Sequence, residues 1–403
     1  MKTTSTVRTL TKETYDQRVF ILGHLGYIDN DEISQQISTK KKNFAKEVVA
    51  LRNIKIKQIS SGGYHCLILT TTGDIFSFGW NKLGQLGLGH YNEIENELKP
   101  EKVITNNLKF TKVEASGRHS LLLTNDGKVY SFGLINPETI ENSPTLIKKL
   151  LNFRVNYIST GFWHNIFGTS CGKVFVSGKG DEGKLGLGNQ NDYFDPIELK
   201  SLKNVEIKQC DGGAWHTVLL TKQGKIFVFG SNFWGQLGLD EENKNKDRLE
   251  PVELEFFNGK NVIKVACGSN FTLCLTNDGK VYSFGCSSNF KTGHCHENTL
   301  FKPVQIQNFP IDDKIVDIQV GSNHSIFLTN TKKVMTCGWN KFGQTGHENE
   351  SISIVESLKN VEISTIGAGA FYSIVSTNTE IKKESGWIKK IDSFSDIYVH
   401  TLE

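Results

Sequence analysis

The chain has 403 residues, of which 38 are glycine and only 7 proline, with 10% aromatics and a formal charge of +3. So small a net charge argues against a protein held to nucleic acid chiefly by phosphate contacts, local basic patches aside, so nucleic acid is not expected as the primary partner. No apolar run approaches a membrane span, so no membrane partner is expected.

The first 18 residues, with Arg8, Lys12 and Arg18, lack the apolar stretch of a secretory signal and read as a tail, which makes the cytoplasm or nucleus the default home. Val19 to Gly23 then reads as a strand ending in glycine with nothing before it to pair with, and Glu47 to Leu51 as its outer neighbour. The first complete unit follows: strand A over Ile56 to Ser60, B over His65 to Thr70, C over Asp74 to Phe78 and D over Pro100 to Val103. Gly62 and Gly63 are expected to permit the A-to-B turn, and Thr72-Gly73 the B-to-C turn. The unit returns seven times, aligned on Gly62, Ser116, Gly161, Gly213, Gly268, Gly321 and Gly369, at a period of roughly 45 to 55 residues, the size of a propeller blade. Strand D recurs as SPTLI, DPIEL, EPVEL and KPVQI, where proline suits an edge strand. The last A and B strands, Glu362 to Gly367 and Tyr372 to Thr377, are followed by a poor C candidate, Glu380 to Gly386, with lysines in mid-strand. The unpartnered Val19 strand is therefore expected to complete the last blade, closing the ring over residues 19–386 and leaving 387–403 as a tail.

G-x-x-H-x-x-x-L, a C strand ending in glycine and N-x-x-G-Q-L-G-x-G together resemble the repeat of the regulator of chromosome condensation family. The match covers nearly the whole chain. It is strongest at Gly62 to Gly89, Gly161 to Gly188 and Gly213 to Leu239, and weaker where Leu134-Ile135-Asn136 and Ser288-Asn289-Phe290 replace GQLG. The resemblance implies an all-β, seven-bladed propeller of four-stranded antiparallel blades. It also implies guanine-nucleotide exchange on a Ran-type small GTPase as one activity, which in that family draws on acidic residues beside the repeated histidine and on a wedge from one blade. Here the position before the histidine holds no Asp or Glu, no unit carries an obvious long insertion, and the unit at Ser116 is the shortest. The preferred reading is a monomeric, protein-binding scaffold or regulator, with exchange as the alternative. Only about 15 to 20 residues flank the repeats, so no fused enzyme domain is expected.

His65, His119, His164, His216 and His324 fall at one repeat position, filled elsewhere by Phe271 and Tyr372. Equivalence across five units marks a structural group bonding to backbone, since a catalytic histidine needs one tuned neighbourhood. One position earlier the chain varies through Tyr64, Arg118, Trp163, Trp215, Asn270, Asn323 and Phe371. Tyr64, Arg118, Trp163 and Trp215 are the candidate partner-binding residues, because aromatics and arginine in a fixed frame are the usual interface anchors. Trp80, Trp234 and Trp339, after strand C, form a second set that either joins them or covers the blade sides.

Three motifs are set aside. GKGDEGKL (Gly178 to Leu185) matches a phosphate loop but is in register with GWNKLGQLGLG and has Leu185 where a Ser or Thr would hold magnesium, so no nucleotide cofactor is expected. Cys286, His294, Cys295 and His296 are zinc-type residues in a repeat loop, and the eight cysteines include no C-x-x-C pair, so neither metal nor disulfide framework is expected. A light-sensing branch of the family carries tryptophans in G-W-R-H-T runs, whereas Trp215 stands one place later in GAWHT.

Overall fold

Six of the seven B strands are buried from end to end, as in His65–Thr70 and His216–Thr221, because each lies mid-sheet with another sheet packed on either face; in His164–Thr169 only Asn165 is partly exposed. The computed structural model describes residues 17–25, 45–92, 98–203, 205–307, 309–310, 313–349 and 351–377. Over these residues the chain forms seven separate four-stranded antiparallel sheets arranged as the blades of a propeller. Blade 1 runs from strand A, Ile56–Ser61, through B, His65–Thr70, and C, Ile75–Gly79, to D, Glu101–Lys102. Blades 2 to 6 begin with the A strands Phe110–Ala115, Val155–Thr160, Ile207–Gly212, Val262–Cys267 and Ile315–Val320. In all seven blades one extra residue bulges the start of strand A against B, as between Ile56 and Gln58, which steepens the local twist.

Blade 7 takes A and B from Ile363–Ala368 and Tyr372–Thr377, and C and D from Val19–Gly23 and Lys46–Glu47. The ends of the chain meet in the register Val19↔Ser376 through Gly23↔Tyr372, so the first strand does close the ring. Its outer strand is shorter and earlier than the sequence suggested, pairing only Phe20↔Glu47 and Ile21↔Lys46. Val49–Leu51 instead forms a 3-10 turn that drops Leu51 into the core, as Leu150, Leu202, Phe257 and Leu358 are dropped after other blades. The Glu380 to Gly386 candidate and both proposed tails, apart from Gln17 and Arg18, lie outside the described residues.

The core consists of seams between neighbouring sheets. Leu67, Leu69 and Ile75 of blade 1 pack on Phe110, Leu122 and Phe132 of blade 2. Ile59, Ile68 and Phe78 pack on Val19, Ile21 and Ile374 of blade 7. Near the axis the A strands approach closely. A Cβ on Gly62 would lie 2.3 Å from the Ser116 carbonyl oxygen, and one on Gly213 would lie 2.5 Å from that of Gly268. Neither glycine has a positive φ, so these positions serve close approach between blades and not the left-handed turn geometry that glycine usually supplies.

The repeated histidines bridge the same seams, and their partners are side chains of the next blade in place of the expected backbone. Nε2 of His65, His164, His216 and His324 lies 2.8, 2.7, 2.9 and 2.9 Å from the hydroxyls of Ser120, Thr217, Thr272 and Ser373. Each hydroxyl donates onward to a loop carbonyl, as Ser120 does to Gln85 at 2.9 Å, so it must accept from the ring, which fixes the Nε2–H tautomer. His119 is the exception and donates to Asn165 Oδ1 at 2.5 Å. Tyr372 fills the slot in blade 7 and donates to the His65 carbonyl at 2.7 Å. His65→Ala or His216→Ala is expected to lower unfolding free energy by about 1 to 3 kcal/mol in denaturant titrations, through the lost bond and the space left behind. Unchanged stability with loss of partner binding would reverse this structural role.

Candidate interaction face

Strand A and strand C both end on the same side of the ring, so the A-to-B turn and the loop after C share one face. A repeated bond holds them together: the N–H that follows the strand-C glycine donates to the carbonyl just before the histidine position. It joins Trp80 to Tyr64, Leu134 to Arg118, Lys179 to Trp163, Ser231 to Trp215 and Trp339 to Asn323, all at 2.9 to 3.0 Å. Trp80, Trp234 and Trp339 therefore lie on the face that carries Tyr64, Arg118, Trp163 and Trp215. The opposite face belongs to the B-to-C turns such as Thr72-Gly73.

The side chains on this face form three groups. Across blades 6, 7 and 1 the aromatic rings of Trp339, Phe342, Phe371, Tyr64 and Trp80 follow one another at centroid distances of 5.1 to 5.8 Å. Across blades 2 and 3 the Arg118 guanidinium lies 4.8 Å from the Trp163 ring, which packs edge-on against Phe162 at 5.3 Å. In blade 4 Trp215, Phe233 and Trp234 are 42%, 54% and 42% exposed. Tyr64, Arg118 and Trp163 are half-buried. The aromatic run thus extends through Phe371 to Trp339, and the polar interruption narrows to Asn270 in blade 5. Phe162, Phe233 and Phe342 escaped the sequence reading because they lie one or more places off the aligned position.

Lys184 joins the loop of blade 3 to this surface. Its stem is buried, Nζ donates to Asp181 at 2.6 Å and lies 5.1 Å from the Trp215 ring, and desolvation lowers its pKa. This is the lysine of the apparent phosphate loop, but a three-residue 3-10 turn, Asp181–Gly183, stands where an anion-binding helix would be needed. His294 pairs with Ser283 Oγ at 2.9 Å and stacks on His296. Among the described residues no helix is long and apolar enough to cross a membrane. The central channel is walled by the A strands, where burial pushes the Asp211 carboxyl up to about 7 while it accepts from the Cys267 N–H at 2.7 Å.

The Ser116 unit departs from the rest. Although it is the shortest, its C and D strands, Val129–Asn136 and Thr139–Leu146, extend as a hairpin beyond Gly133, on the side of Arg118. No inserted segment is needed, because the hairpin replaces the GQLG loop.

The profile of the RCC1-like domain matches residues 22–311, and that of the regulator of chromosome condensation (RCC1) repeat matches 315–344. The chain belongs to the RCC1-like family. Among curated relatives, this RCC1-like chain is 30% identical to the ultraviolet-B receptor UVR8 of Arabidopsis thaliana over 67% of its own length and 60% of the receptor's. It is 27% identical to the E3 ubiquitin-protein ligase HERC2 of Mus musculus over 96% of this chain but 8% of that protein. Among solved structures it resembles Prp20p of Saccharomyces cerevisiae in a study of binding to Gsp1p and histones, with a TM-score of 0.76 and 21% identity over 92% of this chain and 94% of the other. Human WBSCR16 gives a TM-score of 0.73 at 21% identity over 90% and 99%. These two likenesses concern the fold.

Proposed function

We propose that this RCC1-like propeller is a protein-binding scaffold or regulator that seats a protein partner on the loop face, and that it does so as a monomer in the cytoplasm or nucleus. The observation that carries this reading is the exposure of Trp215, Phe233 and Trp234 side by side on a face already rich in aromatics and arginine. Large aromatics left in water gain most when a partner desolvates them. Tyr64, Arg118 and Trp163 extend the same surface toward blade 1. Trp215→Ala and Trp163→Ala are each expected to weaken a bound partner by about 2 kcal/mol or more in a titration, with melting unchanged for Trp215→Ala. Unfolding of both variants would assign the indoles to packing and remove the reading.

Guanine-nucleotide exchange on a Ran-type GTPase is the second reading, favoured by the projecting hairpin of blade 2 and the fold shared with Prp20p. The residues beside the histidines are aromatic, basic or amide and not acidic, which leaves scaffolding preferred. Nucleotide release from a GDP-loaded Ran-type GTPase, measured with and without the full chain, separates the two.

A further inference from the structure

In five blades the loop after strand C folds back and fills the seam with the next blade. The loop of blade 1 shows how. Ser77 of its own strand C donates to the Leu86 carbonyl at 2.7 Å, Ser120 of blade 2 donates to the Gln85 carbonyl at 2.9 Å, and Leu86 is fully buried. Gly87 lies so close to the Phe132 ring that a Cβ would stand 2.9 Å from it. Thr217, Thr272, Ser325 and Ser373 likewise donate to Lys184, Gln236, Lys291 and Gln344 carbonyls of the preceding loops. The complement of a seam in this fold is therefore a turn of backbone carrying one buried side chain, Leu86, Leu185 or Leu237 in three loops and Thr292 or Thr345 in two.

Blade 2 has no such loop, since its strand C turns directly into its hairpin. The seam between blades 2 and 3 holds a cavity of about 430 Å³ lined by His119, Leu121, Ser131, Ile135, Asn165 and Ser177. Its size falls in the roughly 300–1,000 Å³ range of ligand sites. Nothing in the neighbouring blade fills the gap. At the position of Phe132, Phe229 and Phe284 blade 3 has the small Ser177, and at the position of Ser120 and Thr217 it has Asn165, whose amide nitrogen bonds Ser177 at 3.2 Å. Ser131, in the place from which Ser77 donates, has no loop carbonyl to reach. The gap opens to solvent and its lining is more apolar than polar, so three departures that all enlarge or polarise one seam point to an occupant that covers it.

We propose that this seam is a docking cleft for a glycine- and leucine-bearing turn of a protein partner, received where Gln85-Leu86-Gly87 sits in the seam before it. The backbone carbonyl of the incoming turn accepts from Ser131, and its leucine packs on Leu121 and Ile135. Lys149 and Asp195 stand 3.9 Å apart at the mouth. The cleft is bounded by the hairpin of blade 2, and its lining does not include Trp215, Phe233 or Trp234.

A fluorescein-labelled synthetic peptide of the chain's own Trp80 to Gly89 sequence serves as probe, titrated against the full chain by fluorescence anisotropy. Saturable binding is expected, weakened at least tenfold when Asp replaces the peptide's second leucine and at least tenfold by Ser177→Phe, with Trp215→Ala binding as the unaltered chain does. Ser177→Phe is also expected to raise the melting temperature by filling the cavity. If Ser177→Phe does not fold, Ser131→Val is expected to weaken binding at least threefold. Absence of peptide binding, an affinity of the folded cleft variants equal to that of the unaltered chain, or saturable binding of indole without the peptide would each overturn the proposal.

Discussion

Deleting residues 1–23 is expected to abolish cooperative melting or lower the melting temperature by at least about 6 °C. The deletion removes strand C of blade 7, whose Val19, Ile21 and Leu22 are at most 2% exposed, and strips Lys46–Glu47 of its only neighbour in the sheet. Burying three such side chains contributes roughly 5 to 9 kcal/mol, a large part of the 5 to 15 kcal/mol by which domains are usually stable. The opened ring also exposes two strand edges that would otherwise be paired. A truncated chain that melts like the intact one would mean that residues beyond Thr377 supply the strand.

Acid is expected to destabilise the ring well above the range in which carboxylates titrate. Burial holds His65 and His216 down to about 3 and His324 down to about 4, and lowers His119 and His164 as well. Nδ1 of His65, His164, His216 and His324 has no hydrogen-bond partner among the described residues, so a proton there meets no acceptor. Below pH 6.5 the unfolded chain binds protons at these rings that the native chain refuses. Stability therefore falls with pH, by about 1.4 kcal/mol per unit for each histidine, until the native rings titrate near 3 to 4. Between pH 7 and 5 the three histidines with the values above together give up about 6 kcal/mol. Asp211 acts with opposite sign: raised to about 7, it takes up its proton in the native state first and returns about 2 kcal/mol over the same interval. The net result is a fall in melting temperature of at least about 5 °C from pH 7 to 5. His216→Phe, copying the natural Phe271 slot, is expected to flatten the profile by one histidine's share. A flat profile in the intact chain would contradict the buried neutral state.

The repeat was legible because six blades share the aligned glycine, five share the histidine and all seven carry the strand-C glycine, so one blade's pattern locates the others. Ring closure was legible too, since Val19 to Gly23 has the C-strand sequence without the A and B strands that should precede it. The hydroxyl partners of the histidines were not, because they sit in the next unit, about 50 residues away, and only the ring geometry brings them within reach. The short 3-10 turns that bury Leu51 and Leu150 are too brief to show a period. For the interaction face, alignment found Tyr64, Arg118, Trp163 and Trp215 but could not show that strand C ends beside them, which brings Trp80, Trp234 and Trp339 onto the same surface. The hairpin of blade 2 was hidden because it arises from loss of a loop and not from added residues.

The most direct test of the loop face as the binding surface is amide hydrogen exchange of the full chain with and without its captured protein partner. Slowed exchange is expected in the A-to-B turns and the loops after strand C, around residues 63–64, 117–118, 162–163, 214–215 and 232–235. Slowed exchange confined to the opposite turns, around residues 71–74, 125–128, 170–173 and 222–225, would contradict the account.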